Sequence, residues 1–407
     1  MGMAKRVWME AQERGWDFSD AFVCVDCVDD YALAAAISEG SDDDLTCTFC
    51  GTSPAAALDV LTEAFVDGLW REHEDAVEGV SYDSAEGGYI FLGNNWDTWD
   101  LVEHYGEVFV GDGLTEQMQK VIHDRTWVDR DFAWRRRDQA LRDAWSVFSH
   151  AVKHRTRYVI WILPDRDETE RRNEGEIPPG QILYDVANML DELGLIRELP
   201  LGTEVWRAQT HAGSKLSEGS TASRLGTAPT SKSKQPNRMS PAGIPLFYGS
   251  DDKATAMSEV TRHLPSDKDH WTIGRFEVTS AITVVDFTAL RPISVFDPEF
   301  GHLNRQAAFL REFVSELSRP IAPSDEHIEY VPTQIITEFF LRVYETVGIG
   351  RARIDGIRYP SAARAGGISV VLDIPNERCV DRVPEGASSA EPLLILDSSS
   401  VETFDLS

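Results

Sequence analysis

Asn237–Val260, NRMSPAGIPLFYGSDDKATAMSEV, and Gly356–Asp373, GIRYPSAARAGGISVVLD, decide how this chain is read. Both mix apolar runs with turns rich in Gly, Pro and Ser, and both carry polar side chains at the turns. With Arg207, in VWRAQT, they supply the groups needed to hold one small polar ligand. Arg207 and Arg238 present planar guanidinium forks whose paired donors match two anionic oxygens, as phosphate recognition requires. Tyr248 offers an aromatic face. Ser250, Asp251 and Asp252 are helix-opening residues, so Glu259 is expected on the first turns of a helix, a placement that fixes a carboxylate at a pocket edge. Ser361 follows Tyr359-Pro360 and adds a hydroxyl on a rigid turn.

Each residue also has a plainer reading. Arg207 beside Trp206 suits a surface or interface, and Tyr248 suits a core strand with its hydroxyl at the rim. Glu259 fits a solvated helix face, with Ala256 and Val260 marking the buried stripe. Ser361 fits an ordinary turn, and Gln334 in PTQIITEFF serves equally well as a cap for the helix it begins.

The blocks NRMSPAGIPLFYGS followed by A-x-x-E, then YVPTQIITEF, then DGIRYPS with GISVVLD resemble, in that order, the RES-domain family, named for its Arg, Glu and Ser. The likeness runs from about Leu195 to Leu396. It implies a fold like that of ADP-ribosyltransferases and an enzyme that consumes NAD, often as the toxin of a toxin–antitoxin pair. It also implies an Xre-type antitoxin or another inhibitory protein as partner, while a homo-oligomer stays open because the sequence does not set the oligomeric state. The family's functional positions fall on Arg207, Arg238, Tyr248, Glu259 and Ser361, with Gln334 as a further candidate. Glu259, Arg207, Tyr248 and Ser361 are then the expected catalytic residues, and Arg207, Arg238, Tyr248, Ser361 and Gln334 the expected NAD contacts.

Residue chemistry agrees with that implication. Breaking the nicotinamide–ribose bond builds positive charge on the sugar, an oxocarbenium-like state that a flanking carboxylate stabilises. Glu259 is the acid placed for this role, and it can accept a hydrogen bond from a ribose hydroxyl that tightens as the sugar flattens. The leaving ring already carries positive charge, so one carboxylate suffices. The arginines would clamp the pyrophosphate and Tyr248 would face the nicotinamide. No Rossmann fingerprint is present, which argues against a dehydrogenase that returns its cofactor intact. Hydrolysis, phosphorolysis and ADP-ribosyl transfer to a protein all stay open, as does a noncatalytic zinc-containing protein that binds a nucleotide.

Cys24, Cys27, Cys47 and Cys50 form C-x2-C-x19-C-x2-C, the spacing of a tetrahedral zinc site built from two knuckles. All four ligands come from protein, so such a metal would stabilise a small fold and leave no position for substrate. Free loop cysteines or a redox pair are the alternative. Cys379 reads as an ordinary thiol.

The 407 residues, 42% hydrophobic with eleven Trp, are expected to fold as two or three soluble domains. No apolar run approaches the length of a membrane span, and MGMAKRVWMEAQERGW lacks a secretion signal, so a cytoplasmic location is expected. The net charge is −29, and residues 1–110 carry 24 acidic side chains against 4 basic ones. A surface so negative repels phosphate backbones, which argues against nucleic acid as a partner.

Periodicity predicts helices from Ser53-Pro54 through Asp75, over Asp131–His154 and over Pro179–Leu193. This part resembles the HEPN-type domain that precedes some RES domains. HEPN ribonucleases place Arg and His closer on one helix than the seven residues separating Arg142 from His150, so RNA cleavage is not expected. Farther on, Trp271–Ser280, Ile282–Phe287 and Gly367–Ile374 read as strands, and Leu303–Leu317 and Pro332–Val347 as helices. The expected class is α+β, divided into a zinc-knuckle segment 1–52, a helical domain 53–194 and a RES domain 195–407. Within the last, the Ser-, Thr-, Lys- and Gly-rich stretch 212–235 is expected to be a mobile loop.

Overall fold

Aromatic and β-branched residues dominate HWTIGRFEV (His270–Val278) and supply Val205, Trp206 and Thr210 in EVWRAQTH (Glu204–His211), and these two segments pair antiparallel from His270 opposite His211 to Glu277 opposite Glu204. In the computed structural model, which describes residues 3–79, 82–83, 88–89, 95–130, 136–160, 177–178, 180–213, 220–262, 268–322, 324–346, 350–382 and 394–405, they lie inside a nine-stranded sheet. The chain parts into two compact units. One holds Met1–Gln139 and Pro292–Ala308; the other holds Ala140–Arg172, Glu176–Arg291 and Phe309–Ser407.

In the first unit the helix Leu58–Glu72 buries Leu58, Leu61, Phe65 and Leu69 completely, an apolar stripe at helical spacing. The periodicity is as expected, but the helix starts at Leu58, because Ala56–Ala57 is drawn into pairing with Phe22–Val23. Helix Tyr31–Glu39 is capped by Asp30, whose side chain accepts from the amides of Ala32 and Leu33. The sequence-distant segment Pro292–Ala308 completes this core. Phe296 stacks on Phe65 with ring centroids 5.0 Å apart, and Gly68 is needed beneath it, since a Cβ there would lie 2.2 Å from the Phe296 ring. Arg71 Nη1 donates to the Val295 carbonyl at 2.8 Å, Arg305 Nε to Glu72 at 2.6 Å, and Tyr31 to Asp297 at 2.7 Å.

The compact units therefore cut differently from the expected 1–52, 53–194 and 195–407. The cysteine segment shares one hydrophobic core with Leu33, Phe65 and Leu114, because so short a piece cannot bury a core by itself. The helices Arg137–His154 and Ile182–Glu192 instead turn Leu141, Trp145, Phe148, Val186 and Leu190 into the core of the second unit. Residues 131–135, where the first of these was expected to begin, lie outside the described residues.

The strands of the second unit are β1 Ile196–Leu199, β2 Glu204–His211, β3 Phe247–Ser250, β4 His270–Val278, β5 Ile282–Asp286, β6 Gly356–Pro360, β7 Ile368–Leu372, β8 Cys379–Val380 and β9 Leu394–Asp405. Their order is β8-β9-β4-β2-β3-β7-β6-β5-β1, with β5–β6 and β8–β9 parallel and the other pairs antiparallel. The class is α+β, as expected. The order sets β2, β3 and β7 side by side, with Ser250 opposite both Trp206 and Ser369. Helix Asn304–Ser318 agrees with the periodicity to within one residue; Val331–Arg342 starts as expected but ends before Val347, giving way to a 3-10 turn at Tyr344–Thr346, and residue 347 lies outside the described residues.

Of the stretch 212–235, expected to be a mobile loop, residues 212–213 and 220–235 are described. Ala222–Leu225 forms a helical turn with Ala222 and Leu225 fully buried, and Thr227 Oγ1 donates to the Ile374 carbonyl at 2.6 Å. Small residues permit this close seat: at Gly226 a Cβ would come within 2.5 Å of Cys379. Residues 214–219 lie outside the described residues.

Candidate functional site

Asp252 opens the helix Lys253–Arg262 by accepting from the Thr255 amide at 3.0 Å and from its hydroxyl at 2.6 Å. Burial works against the charge, yet these hydrogen bonds and Arg364 hold the Asp252 carboxyl below its ordinary range. The cap fixes where the helix begins, and with it the position of Glu259. Oε1 of Glu259 accepts two hydroxyl hydrogen bonds, from Ser361 at 2.6 Å and from Ser369 at 2.8 Å. Oε2 makes no hydrogen bond among the described residues. The Ser361 hydroxyl in turn accepts from the amides of Ala363 and Arg364, so a short turn locks it in place.

Glu259 borders a cleft of about 340 Å³ that is also lined by Trp206, Arg207, Asn237, Arg238, Tyr248, Tyr330, Tyr359 and Ser369. Arg207, on β2, is buried; its Nε donates to the Leu225 carbonyl at 2.7 Å and its Nη1 to the Tyr248 carbonyl. Its guanidinium lies over the Phe247 ring at 5.1 Å. No carboxylate pairs with it among the described residues. Burial lowers its pKa to about 10, so it stays a cation at neutral pH, and an uncompensated buried cation favours an anionic ligand.

Arg238 sits differently. Its two terminal nitrogens donate to the carbonyls of Leu317 and Arg319, at 2.7 and 2.8 Å, and it lies over Tyr330 at 5.0 Å. It caps the carboxyl end of the helix Asn304–Ser318, a favourable place for a cation, while still lining the cleft. The Tyr248 hydroxyl accepts from the Met239 amide at 3.2 Å and lies 3.0 Å from Ser240 Oγ; burial pushes its pKa up to about 12, so the phenol stays neutral. Tyr248 is thus a cleft wall pinned at its far end.

Two expected ligand contacts stand back from the cleft. Gln334 is buried and donates through Nε2 to the carbonyls of Asn237 (2.8 Å) and Ser240 (3.3 Å), holding the turn that carries Arg238. Ser361 reaches Glu259 without lining the cleft. Sequence reasoning missed Ser369 and Tyr359. The alternation of GISVVLD puts Ser369 and Val371 on the same face of β7, but only the neighbour β3 and its helix identify that face as the one toward Glu259. Tyr359 lies buried close to Glu259, and burial raises its pKa.

In the first unit, Cys24, Cys27, Cys47 and Cys50 come together with their sulfurs all within 4.8 Å of one another. The Cys24–Cys50, Cys27–Cys47 and Cys24–Cys27 separations are 3.3, 3.6 and 3.8 Å. A tetrahedron with metal–sulfur bonds of about 2.3 Å puts its sulfurs about 3.8 Å apart, so the four residues fit an ion held by four thiolates. Each pair makes a tight turn, with the Cys27 amide on the Cys24 carbonyl and the Gly51 amide on that of Cys47, Gly51 taking φ +76°. Burial pushes the Cys24 thiol up to about 11 and Cys27 in the same direction, so both favour the neutral form, while hydrogen bonds from Thr52 lower Cys50 to about 6. A divalent cation would hold all four as thiolates.

Arg142 is paired with Glu312 at 2.6 Å, and the His150 ring packs against His154 at 5.1 Å. No helix among the described residues is long and apolar enough to cross a membrane. Residues 40–164 match the family model for HEPN/RES N-terminal domain 1, and residues 204–395 match that for the RES domain. No curated protein and no solved structure matches the chain.

Proposed function

The chain belongs to the RES-domain family and carries that family's HEPN/RES N-terminal domain, and from this premise we propose that it consumes NAD by cleaving the nicotinamide–ribose bond. The RES domain itself points to an NAD-related, toxin-like function. One observation carries the finer reading. Among the described residues, a single cleft holds a buried guanidinium with no carboxylate partner and a carboxylate with one oxygen tied back and the other open.

On this reading Arg207 holds the pyrophosphate, helped by Arg238 to the extent that its carbonyl bonds leave donors available. Tyr248 supplies the flat wall for the nicotinamide. Glu259 Oε2 faces the ribose, where it accepts from a hydroxyl and stabilises the positive charge that develops as nicotinamide departs. Nicotinamide leaves as a neutral base, so no general acid is required. Water, inorganic phosphate or a protein side chain then takes the sugar. An inhibitory partner, such as an Xre-type antitoxin, holds this activity in check, and Zn²⁺ held by the four cysteines would stabilise the first unit.

The test is to incubate purified full-length protein with NAD, with and without phosphate, and to separate the products. Free nicotinamide with ADP-ribose indicates hydrolysis, its phosphorylated counterpart indicates phosphorolysis, and modified protein indicates transfer. Tight ADP-ribose binding with no nicotinamide release would point to a noncatalytic nucleotide-binding protein.

A further inference from the structure

Ser361 was expected at the site and Ser369 was not, yet the two hydroxyls converge on the same oxygen of Glu259, at 2.6 and 2.8 Å. Their origins differ. Ser361 sits on a partly exposed turn, whereas Ser369 is 4% exposed on a central strand, between β3 and β6, and lines the cleft. A carboxylate on a helix surface ordinarily rotates about its last torsion, which is broad and two-fold. Two donors on one oxygen from different elements remove that freedom and leave the second oxygen as the only acceptor offered to a ligand. A hydroxyl has one proton to give, and Ser369 gives it to Glu259, so it has none to donate to a ligand.

We infer that Ser369 is a positioning residue: with Ser361 it forms a two-hydroxyl clamp that presents Glu259 Oε2, and only Oε2, to the ribose of the substrate. The inference rests on the reading of the cleft as an NAD-cleaving site. It assigns Ser369 no contact with the reacting atoms, so its effect must pass through Glu259. The arrangement also gives the two serines unequal weight. Ser361 can be replaced within its turn by water, since that segment is partly open, whereas Ser369 is 4% exposed and leaves water far less room to take its place.

The experiment compares wild type, Ser369→Ala, Ser369→Thr, Ser361→Ala and the double Ser361→Ala/Ser369→Ala in full-length protein, following nicotinamide release and, separately, ADP-ribose affinity. Ser369→Ala should lower kcat about 10- to 30-fold with KM and ADP-ribose affinity changed less than about twofold, the lower end of what a hydrogen bond to a charged group supplies. Ser369→Thr, which keeps the hydroxyl, should recover most of the rate. The double variant should approach Glu259→Gln and fall short of the product of the single losses if the two act as one clamp. A Ser369→Ala enzyme with wild-type kcat, or one whose loss lies mainly in KM, overturns the inference and leaves the NAD reading standing. Wild-type protein that releases no nicotinamide overturns both.

Discussion

The four-thiol cluster of the first unit and the cleft of the second are built in opposite ways. All four sulfur ligands come from residues 24–50 and are gathered by two tight turns, whereas the cleft draws Arg207, Tyr248, Glu259 and Ser369 from β2, β3, the following helix and β7. They also differ in what is left over. The thiols fit a metal that would use every donor, as a stabilising site should. In the cleft, among the described residues, Arg207 has no acid paired with it and one oxygen of Glu259 has no hydrogen bond, and it is on this unmet polar capacity that the proposed ligand site rests.

The largest expected effect lies on the stabilising side of that contrast. Metal analysis of protein prepared without chelator should find about one zinc per chain, and Cys24→Ser with Cys27→Ser should remove it along with most of the about 10 to 16 kcal/mol that such sites supply to folding. The first unit would then lose its cooperative unfolding transition. Metal-free protein with an intact first unit would break the comparison. Next comes Phe296→Ala, expected to cost about 3 to 5 kcal/mol in denaturant unfolding because it empties the stack on Phe65. A cost below about 1 kcal/mol would mean that Pro292–Ala308 is not part of that core.

On the side of the cleft, calorimetry should find ADP-ribose binding weakened by about 1.5 to 3 kcal/mol in Arg207→Ala, and by less in Arg238→Ala, whose guanidinium is already engaged by two carbonyls. Equal losses would restore both arginines to the clamp. The smallest effect is at the helix cap: Asp252→Ala should cost about 1 kcal/mol of stability at neutral pH. Because the folded carboxyl titrates below its ordinary value, that contribution is present above the unfolded pKa and is lost as the pH falls through the lowered one. The gap between parent and variant should therefore close in acid.

The same contrast explains what could be read in the chain. Ligand spacing in C-x2-C-x19-C-x2-C is a local property, and the cysteines are where it puts them. Helix and strand periods were equally local, so Leu58–Glu72, His270–Val278 and Ile368–Leu372 are close to expectation. Arg207, Arg238, Tyr248 and Glu259 were legible as a ligand set from motif order, and they do border one cleft. Their division of labour was not legible, because it depends on partners far away in sequence. Arg238 meets the end of a helix some eighty residues on, and Gln334 meets the backbone of Asn237. Ser369 sits in a run that reads as plain buried strand. Pro292–Ala308 lies in the half that reads as the RES domain, and only packing reveals that Phe296 belongs to the first unit.

The central claim is that Glu259 acts on charge that appears as the nicotinamide–ribose bond breaks, and nicotinamide release by Glu259→Gln beside wild type tests it most directly. Glutamine keeps the shape and an acceptor for the Ser361 and Ser369 hydroxyls while removing the charge. Wild-type protein should release nicotinamide, and the variant should lose about two or more orders of magnitude in kcat while its melting temperature and ADP-ribose affinity stay near those of the parent. A variant that turns NAD over at the wild-type rate would contradict the account.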